Sequence, residues 1–344
     1  MSLPDLPTEI LFQIFRHCSS ISSAINLSLT CHRLYHLLRT SQKIPVLFAI
    51  AERVWGPLED VYQILTYNST QPLHVKRAPV LSFALLVQVS RIGRVATWFE
   101  NMYPKTRWDS EKAYLRRELA VSESRALRRA IYRTWLFSLA FHTPEVTRTN
   151  RMHAALVANR CRLLRTWSTD ELLELEDARC CLENILASVC PTSGQVFWNH
   201  GADTSFGRCL QPQGPRFCSV FYDAHAEATE VEPYSIPAPE LRDQTMEGWG
   251  DDIDQYHILS SMLKLNPSQV VLLYENALCK RDVEVFVDDH GGGNWFWDNG
   301  ETMLHTWMLV LHDRGLSVHG VREKISSGLL GIAVDDEKYT VEIK

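Results

Sequence analysis

The two most informative stretches of the sequence are LPTEILFQIF at residues 6–15 and LSLTCHRLYHLL at residues 27–38. In the first stretch, Pro7 suits the start of a helix, because its missing N–H needs no partner there. Apolar residues then recur at helical spacing, namely Ile10, Leu11, Ile14, Phe15 and Cys18. The pattern predicts a first helix over residues 7–17.

Two further short helices are predicted after it. Ser22 or Ser23 is expected to cap the second helix, which carries Ala24, Leu27 and Leu29. The third begins near residue 30 and places one apolar face at Cys31, Leu34, Tyr35 and Leu38. Three helices in about forty residues cannot bury their own apolar stripes. We therefore expect this segment to bury its apolar faces against another part of the chain or another protein.

Together the two stretches resemble the F-box in both order and spacing, through the patterns LPxEILxxIF and LSxxCxxL. The resemblance implies three helices that pack against the helical part of a Skp-type adaptor. The two proteins would share a hydrophobic core surrounded by a polar rim. Many F-boxes carry an Asp before the second helix, where this chain has Ser22-Ser23-Ala24. The resemblance implies a combined adaptor-binding and core set that consists of Leu6, Pro7, Ile10, Leu11, Ile14, Phe15, Leu27, Leu29, Leu34 and Leu38.

The composition is that of an ordinary globular protein, with 45% hydrophobic and 22% charged residues among 344. The formal net charge of −6 is too small to indicate a nucleic acid or a membrane. Residues 105–165 nevertheless contain 14 Lys/Arg against 5 Asp/Glu, and residues 170–260 contain 4 against 17. These segments are interpreted either as faces that attract each other across a domain contact or as a docking surface.

The nine cysteines are odd in number and scattered, and no basic region followed by an apolar one opens the sequence. We therefore expect free thiols, a reducing compartment, and a location in the cytoplasm, the nucleus or both. The most apolar stretch, residues 80–89, is too short to cross a bilayer. No membrane partner is expected.

Residues 43–344 are predicted to form the substrate-recognition domain. Helices are predicted to about residue 190, including residues 44–55, 80–100, 122–141 and 169–189. Six prolines predict loops over residues 190–250. Residues 251–344 are predicted to be mixed α/β, with helices at residues 267–278 and 301–314. Short strands are predicted at residues 217–222, 283–287 and 339–343.

The predicted fold class is thus mainly α, with a three-helix F-box at residues 1–42 and a larger helical domain that has a few short β-strands near the C-terminus. The segments AIYRTWLF at residues 130–137 and DNGET at residues 298–302 loosely resemble the helical C-terminal regions of fungal F-box proteins. That second resemblance names no target.

Patterns of catalytic or ligand-binding type are incomplete. HGGG at residues 290–293 resembles the oxyanion-hole loop of lipases, but the sequence has no Gly-x-Ser-x-Gly. Neither Cys-x-x-Cys nor His-Glu-x-x-His occurs, and Asp251, Asp252 and Asp254 are interpreted as a solvated loop. A basic helical stretch lacks a nucleic-acid-reading motif, and it contains Arg116, Arg117, Arg125, Arg128, Arg129 and Arg133. We expect no catalytic residue, metal, cofactor or nucleic-acid partner.

The resemblance to the F-box thus implies a non-catalytic substrate receptor. Its F-box would bind a Skp-type adaptor, and through it a cullin–RING ubiquitin ligase. The rest of the chain would hold an unidentified target protein near the enzyme that carries ubiquitin. The charged segments and the loops at residues 190–250 are the predicted recognition surface. Two alternatives stay open: an F-box–adaptor scaffold outside ubiquitination, and an enzyme with an unrecognised active site. A pocket that clusters histidines and carboxylates would favour the enzyme.

Overall fold

The computed structural model describes residues 3, 6–108, 113–195, 248–277, 279–290 and 294–334. Across these residues it contains a 3₁₀ helix, Ala113–Leu115, and fifteen α-helices. The α-helices are Thr8–Arg16 (α1), Ile21–Ser28 (α2), His32–Leu38 (α3), Lys43–Trp55 (α4), Leu58–Leu65 (α5), Phe83–Arg107 (α6), Val121–Phe141 (α7), Ala154–Arg165 (α8), Thr169–Val189 (α9), Asp252–Met262 (α10), Pro267–Asn276 (α11), Lys280–His290 (α12), Asn294–Trp297 (α13), Met303–Asp313 (α14) and Val318–Ser326 (α15).

The prediction of a mainly α protein is confirmed. The predicted strand at residues 283–287 is wrong, because these residues lie inside α12. Val283 and Val287 are one helical turn apart and buried, whereas Val285 is exposed. The alternation that suggested a strand therefore also fits a helix with one apolar face. The strands predicted at residues 217–222 and 339–343, and most of the loops predicted at residues 190–250, lie outside the described residues.

The chain divides into two compact units. Unit 1 consists of Met1–Met102 and Leu119–Leu136, and unit 2 of Tyr103–Glu118 and Phe137–Lys344. In unit 1, α4 packs against α1, α2 and α5. Gly93 of α6 makes room for a Trp55 ring, because a Cβ at that position would lie only 2.3 Å from the ring carbon Cγ.

Two ion pairs fix α7 within unit 1. Arg133 Nε donates to Asp60 Oδ1 (3.2 Å), and both side chains are buried. Arg128 Nη1 donates to Glu100 Oε1 (2.8 Å), while its Nε donates to the carbonyl of Gly56 (3.0 Å). Buried charges need such partners, because an unpaired one costs several kcal/mol. These contacts explain why this helix combines an apolar face with arginines.

Unit 2 is organised around α9. A capping box begins this helix: Ser168 accepts from the backbone N–H of Glu171, and the Glu171 side chain accepts from that of Ser168. Helices α10, α11, α14 and α15 all pack on α9. It is buried around most of its circumference, which is the expected position for a core helix.

Asp177 of α9 is a buried polar centre of unit 2. Its Oδ2 accepts from the Tyr103 hydroxyl (2.7 Å) and from the Ile332 N–H (2.8 Å). Arg107 Nη1 lies 3.7 Å from Oδ1. Burial raises the pKa of Asp177 more than Arg107 and the hydrogen bonds lower it. These contacts tie α9 to residues that are distant in the sequence.

Candidate functional site

Helix α1 has two apolar faces with different environments. Leu11 and Phe15, one turn apart, are completely buried. Pro7 is exposed, Ile10 is 47% exposed and Ile14 is partly exposed. These three follow i, i+3, i+7 spacing on a stripe adjacent to that of Leu11 and Phe15, because successive residues are about 100° apart around the helix axis. Pro7 is the residue before the first helical turn rather than the first helical residue, as Thr8 begins the helix. The apolar pattern of α1 therefore exceeds what the internal core uses.

Helix α2 repeats this arrangement. Ala24 and Ser28 are buried, whereas Ile25 is 42% and Leu29 65% exposed. Ile25 and Leu29 are four residues apart, so their side chains are neighbours along the exposed face. The cap of this helix differs from the prediction: Ser20, not Ser22 or Ser23, accepts the Ser23 N–H (3.0 Å). The helix consequently begins at Ile21.

Helix α3 contributes to the inside. Leu34 and Leu38 are buried at i, i+4 spacing. Its Arg33 Nη2 donates to the carbonyl of Leu6 (2.9 Å), which holds the start of α1 against α3. The half-buried Leu6 and Leu27 occupy intermediate positions between core and surface.

Helix α4 completes this small core. It packs on α1 and α2 and buries Val46, Leu47, Ile50 and Ala51. Arg53 of α4 also donates to the carbonyl of Cys18, between α1 and α2. Residues beyond 42 therefore supply the partner face that the three short helices need. The apolar side chains still exposed on α1 and α2 are a surplus over that core.

The ten predicted residues thus separate into three groups by exposure. The buried group is Leu11, Phe15, Leu34 and Leu38; the partly exposed group is Leu6, Ile14 and Leu27; the exposed group is Pro7, Ile10 and Leu29. Ile25 is an exposed apolar residue that the sequence prediction missed. Its four-residue spacing from Leu29 was the available signal. We call Pro7, Ile10, Ile25 and Leu29 the exposed apolar set.

The arginines of the basic stretch make mostly intramolecular contacts. In unit 1, Arg125 pairs with Glu52 (2.7 Å), and Arg128 and Arg133 make the buried pairs described above. In unit 2, Arg116 donates to the Trp108 carbonyl (2.8 Å), and the Arg117 guanidinium lies over the Trp108 ring, 5.2 Å from its centroid. These arginines therefore have partners within their own unit.

Unit 2 contains a cleft of about 250 Å³ whose lining includes His142, His290 and Lys264. We call it the Lys264 cleft. Of its described lining residues, none is Asp or Glu. His142 Nδ1 lies 3.3 Å from the carbonyl of Lys264, and its Nε2 accepts from the Thr302 N–H at 3.3 Å. Burial lowers the pKa of His142 to about 3.

Two searches of the described residues gave negative results. No group of three or more His, Cys, Asp or Glu is arranged to hold a metal ion. None of the helices in the described ranges has the length and apolar character to cross a membrane.

Comparison with known families agrees with the geometry at the N-terminus. Residues 3–42 match the family model described as F-box-like. A search of curated proteins and a search of solved structures returned no match. Residues 3–42 therefore form an F-box-like domain. F-box domains typically bind Skp-type adaptors, and F-box proteins are generally non-catalytic.

Proposed function

We propose that this protein is the substrate-receptor subunit of a Skp–cullin–F-box ubiquitin ligase. The F-box-like domain binds the Skp-type adaptor, and the chain beyond about residue 43 binds a target protein. The receptor itself supplies proximity and orientation, not chemistry. It acts in the cytoplasm, the nucleus or both.

The exposed apolar set carries the proposal. Apolar side chains on the surface of a small helical domain indicate a protein-binding site when they are grouped. Here they lie on two helices that pack together, α1 and α2. Leu11, Phe15, Leu34 and Leu38 already form the inner core with α4, so the exposed set is free to contact a partner. The partly exposed Leu6, Ile14 and Leu27 would form the margin of that contact.

The test is co-expression of the full chain with the adaptor and measurement of the dissociation constant. The double variant Ile10→Ser/Leu29→Ser removes two exposed apolar anchors. We expect adaptor binding to weaken by about 2–4 kcal/mol, or roughly 30- to 1,000-fold. Folding stability should change by less than about 1 kcal/mol, because both side chains are largely outside the core. A second variant, Leu6→Ala/Pro7→Ala, tests the start of the same surface.

A matched control exists in the same unit. Val80 and Val121 are even more exposed than Ile10, and both lie outside residues 3–42. The variant Val80→Ser/Val121→Ser removes similar apolar surface and should leave adaptor binding unchanged. Equal effects of the two double variants, or no effect of either, would contradict the proposal.

The scaffold alternative differs in one partner. If the protein acts in ubiquitination, cullin co-purifies with the wild-type chain and is lost together with the adaptor in Ile10→Ser/Leu29→Ser. Recovery of the adaptor without cullin would favour a scaffold outside ubiquitination.

A further inference from the structure

The Lys264 cleft of unit 2 brings basic and aromatic side chains together. It lies between the end of α7, the turn before α11, the end of α12 and α13. Its lining combines Lys264 and His290 with two aromatic rings, Trp295 and Phe296. At about 250 Å³ it is slightly smaller than pockets for drug-sized ligands, which begin at roughly 300 Å³. It has room for a chain end or one or two residues.

Lys264 is a buried cation in this cleft. The residue is only 4% exposed. Its Nζ donates to the carbonyls of Phe296 and Asn299 and lies 4.5 Å from the centroid of the Trp295 ring. An ammonium group has three N–H donors. For two of them the structure shows an acceptor among the described residues, and both acceptors are neutral.

Two more cations are linked to Lys264 through shared hydrogen-bond partners. Arg151 Nη1 donates to Asn299 Oδ1 (3.0 Å) and to the Gly300 carbonyl (3.1 Å), so it shares Asn299 with Lys264. Arg160 is completely buried and donates from Nη2 to the Arg151 carbonyl (2.7 Å). Asp298 acts on Lys264 and Glu301 on Arg160 as opposite charges, but Arg160 Nη1 is buried without a hydrogen-bond acceptor among the described residues.

This arrangement favours an anion. Three cations face two carboxylates, Asp298 near Lys264 and Glu301 near Arg160, so positive charge stays in excess, and buried charge normally requires an opposite charge. Burial, together with the nearby Arg151, lowers the pKa of Lys264 to about 7, although Asp298 acts in the opposite direction. A negatively charged ligand in the cleft would oppose both effects. The rings of Trp295 and Phe296 provide an apolar surface beside the charge.

We propose that the Lys264 cleft binds a carboxylate whose attached group is small and apolar. The carboxylate would accept from Lys264, and the apolar group would pack against Trp295 or Phe296. The carboxylate is that of a target-protein residue, at its C-terminus or on an acidic side chain, or that of a small molecule. The first two sources rest on the proposed receptor function, whereas the carboxylate preference itself does not.

The first experiment uses ligand-observed NMR with the full-length chain. Phenylacetate and phenylacetamide have nearly the same shape and differ in charge. We expect phenylacetate to bind and phenylacetamide to bind at least about tenfold more weakly, because the amide cannot form the charge-assisted contact. Equal binding of the two probes, no binding of phenylacetate, or tighter binding of inorganic phosphate than of phenylacetate would overturn the proposal.

Variants then locate the site. Lys264→Met keeps the length of the side chain and removes its charge, and it should weaken phenylacetate binding about 10- to 100-fold. Lys280→Met is the matched control in the same unit, since the Lys280 ammonium also lies over a ring, that of Trp249 at 5.0 Å. It should leave phenylacetate binding unchanged. Equal loss in both variants, or no loss in Lys264→Met, refutes the site.

A measurement on the wild-type chain covers the case in which Lys264→Met does not fold. Acylation of Lys264 by an amine-reactive reagent is followed by mass spectrometry, and phenylacetate should slow it while phenylacetamide does not. The absence of protection would count against the site. Two peptides then identify the source of the carboxylate. Competition by a peptide with a free C-terminal carboxylate indicates a chain end, and competition by an amidated peptide with an internal Glu indicates an acidic side chain. If neither peptide competes, the source is a small molecule. Adaptor capture by Lys264→Met reports separately on the F-box-like domain.

Discussion

The neutral state of His142 predicts that unit 2 loses stability in mild acid. An ordinary histidine has a pKa near 6.5, and burial lowers that of His142 to about 3. Between these values the unfolded chain binds a proton at His142 that the folded chain does not bind. By linkage, stability is therefore fully present above about pH 6.5 and falls as the pH decreases toward 3.

The size of the effect follows from the same two values. At pH 5 the linkage relation gives about 2 kcal/mol relative to pH 7.5. Since His142 keeps part of its surface toward the cleft, we expect about 1–2 kcal/mol. Protonation would also place a new N–H opposite the Thr302 N–H, which donates to Nε2 in the neutral ring. It would add a charge near Lys264 and Arg160.

Urea unfolding at pH 7.5 and 5.0, followed by tryptophan fluorescence, measures the effect. The variant His142→Gln removes the titrating group, so its loss of stability between the two pH values should be about 1–2 kcal/mol smaller than that of the wild type. Lys264 and the carboxylates titrate in both proteins and largely cancel in the difference. His290→Gln, at an exposed position of the same cleft, is the control and should behave like the wild type. Identical pH dependence in His142→Gln and wild type would refute the reasoning.

Three further substitutions test packing by urea unfolding or thermal melting. Phe15→Ala should destabilise unit 1 by about 3–5 kcal/mol, since the ring is fully buried; a loss below about 1 kcal/mol would show that Phe15 is not in the core. Gly93→Ala should lower stability by about 1–3 kcal/mol despite alanine's higher helix propensity, because its Cβ would meet Trp55; an increase in melting temperature would contradict that contact. Asp177→Ala should lower the free energy of unfolding by about 3–5 kcal/mol, because it leaves the Tyr103 hydroxyl and the Ile332 N–H without an acceptor. A near-neutral change would indicate that the polar centre is not formed.

Sequence periodicity predicted two of the three long helices to within one residue, whereas the third, predicted at residues 80–100, is α6 at Phe83–Arg107. The segment predicted at residues 169–189 coincides with α9, and that at residues 122–141 begins one residue after α7 does. Periodicity succeeded there because both segments extend over several turns with a start signal or a clear apolar stripe. The α10 segment DIDQYHILSSM has no apolar stripe, and α15 contains Gly320. Those helices were not predicted, since their formation depends on packing against α9 rather than on local pattern.

Tertiary arrangement was the part that the sequence could not supply. The Lys264 cleft brings together residues near 142, 264 and 295, and no local spacing connects these positions. The strand predicted within α12 failed for a related reason. Over so short a segment, valines at alternate positions are compatible with a strand and with a helix. The burial of Val283 and Val287, one helical turn apart, decides for the helix.

The division between core and surface in the F-box-like domain required α4. From the sequence, Ile10 and Leu11 are equivalent members of one apolar stripe, and so are Leu27 and Leu29 of the second stretch. Once α4 covers the side of Leu11 and Phe15, Ile10 is left at 47% exposure and Leu29 at 65%. Leaving such side chains in water forfeits much of the roughly 1.5–3 kcal/mol that complete burial of each would contribute. A domain that keeps this unused apolar surface beside a completed core is suited to binding a second protein, and the exposed apolar set is where we expect that protein to bind.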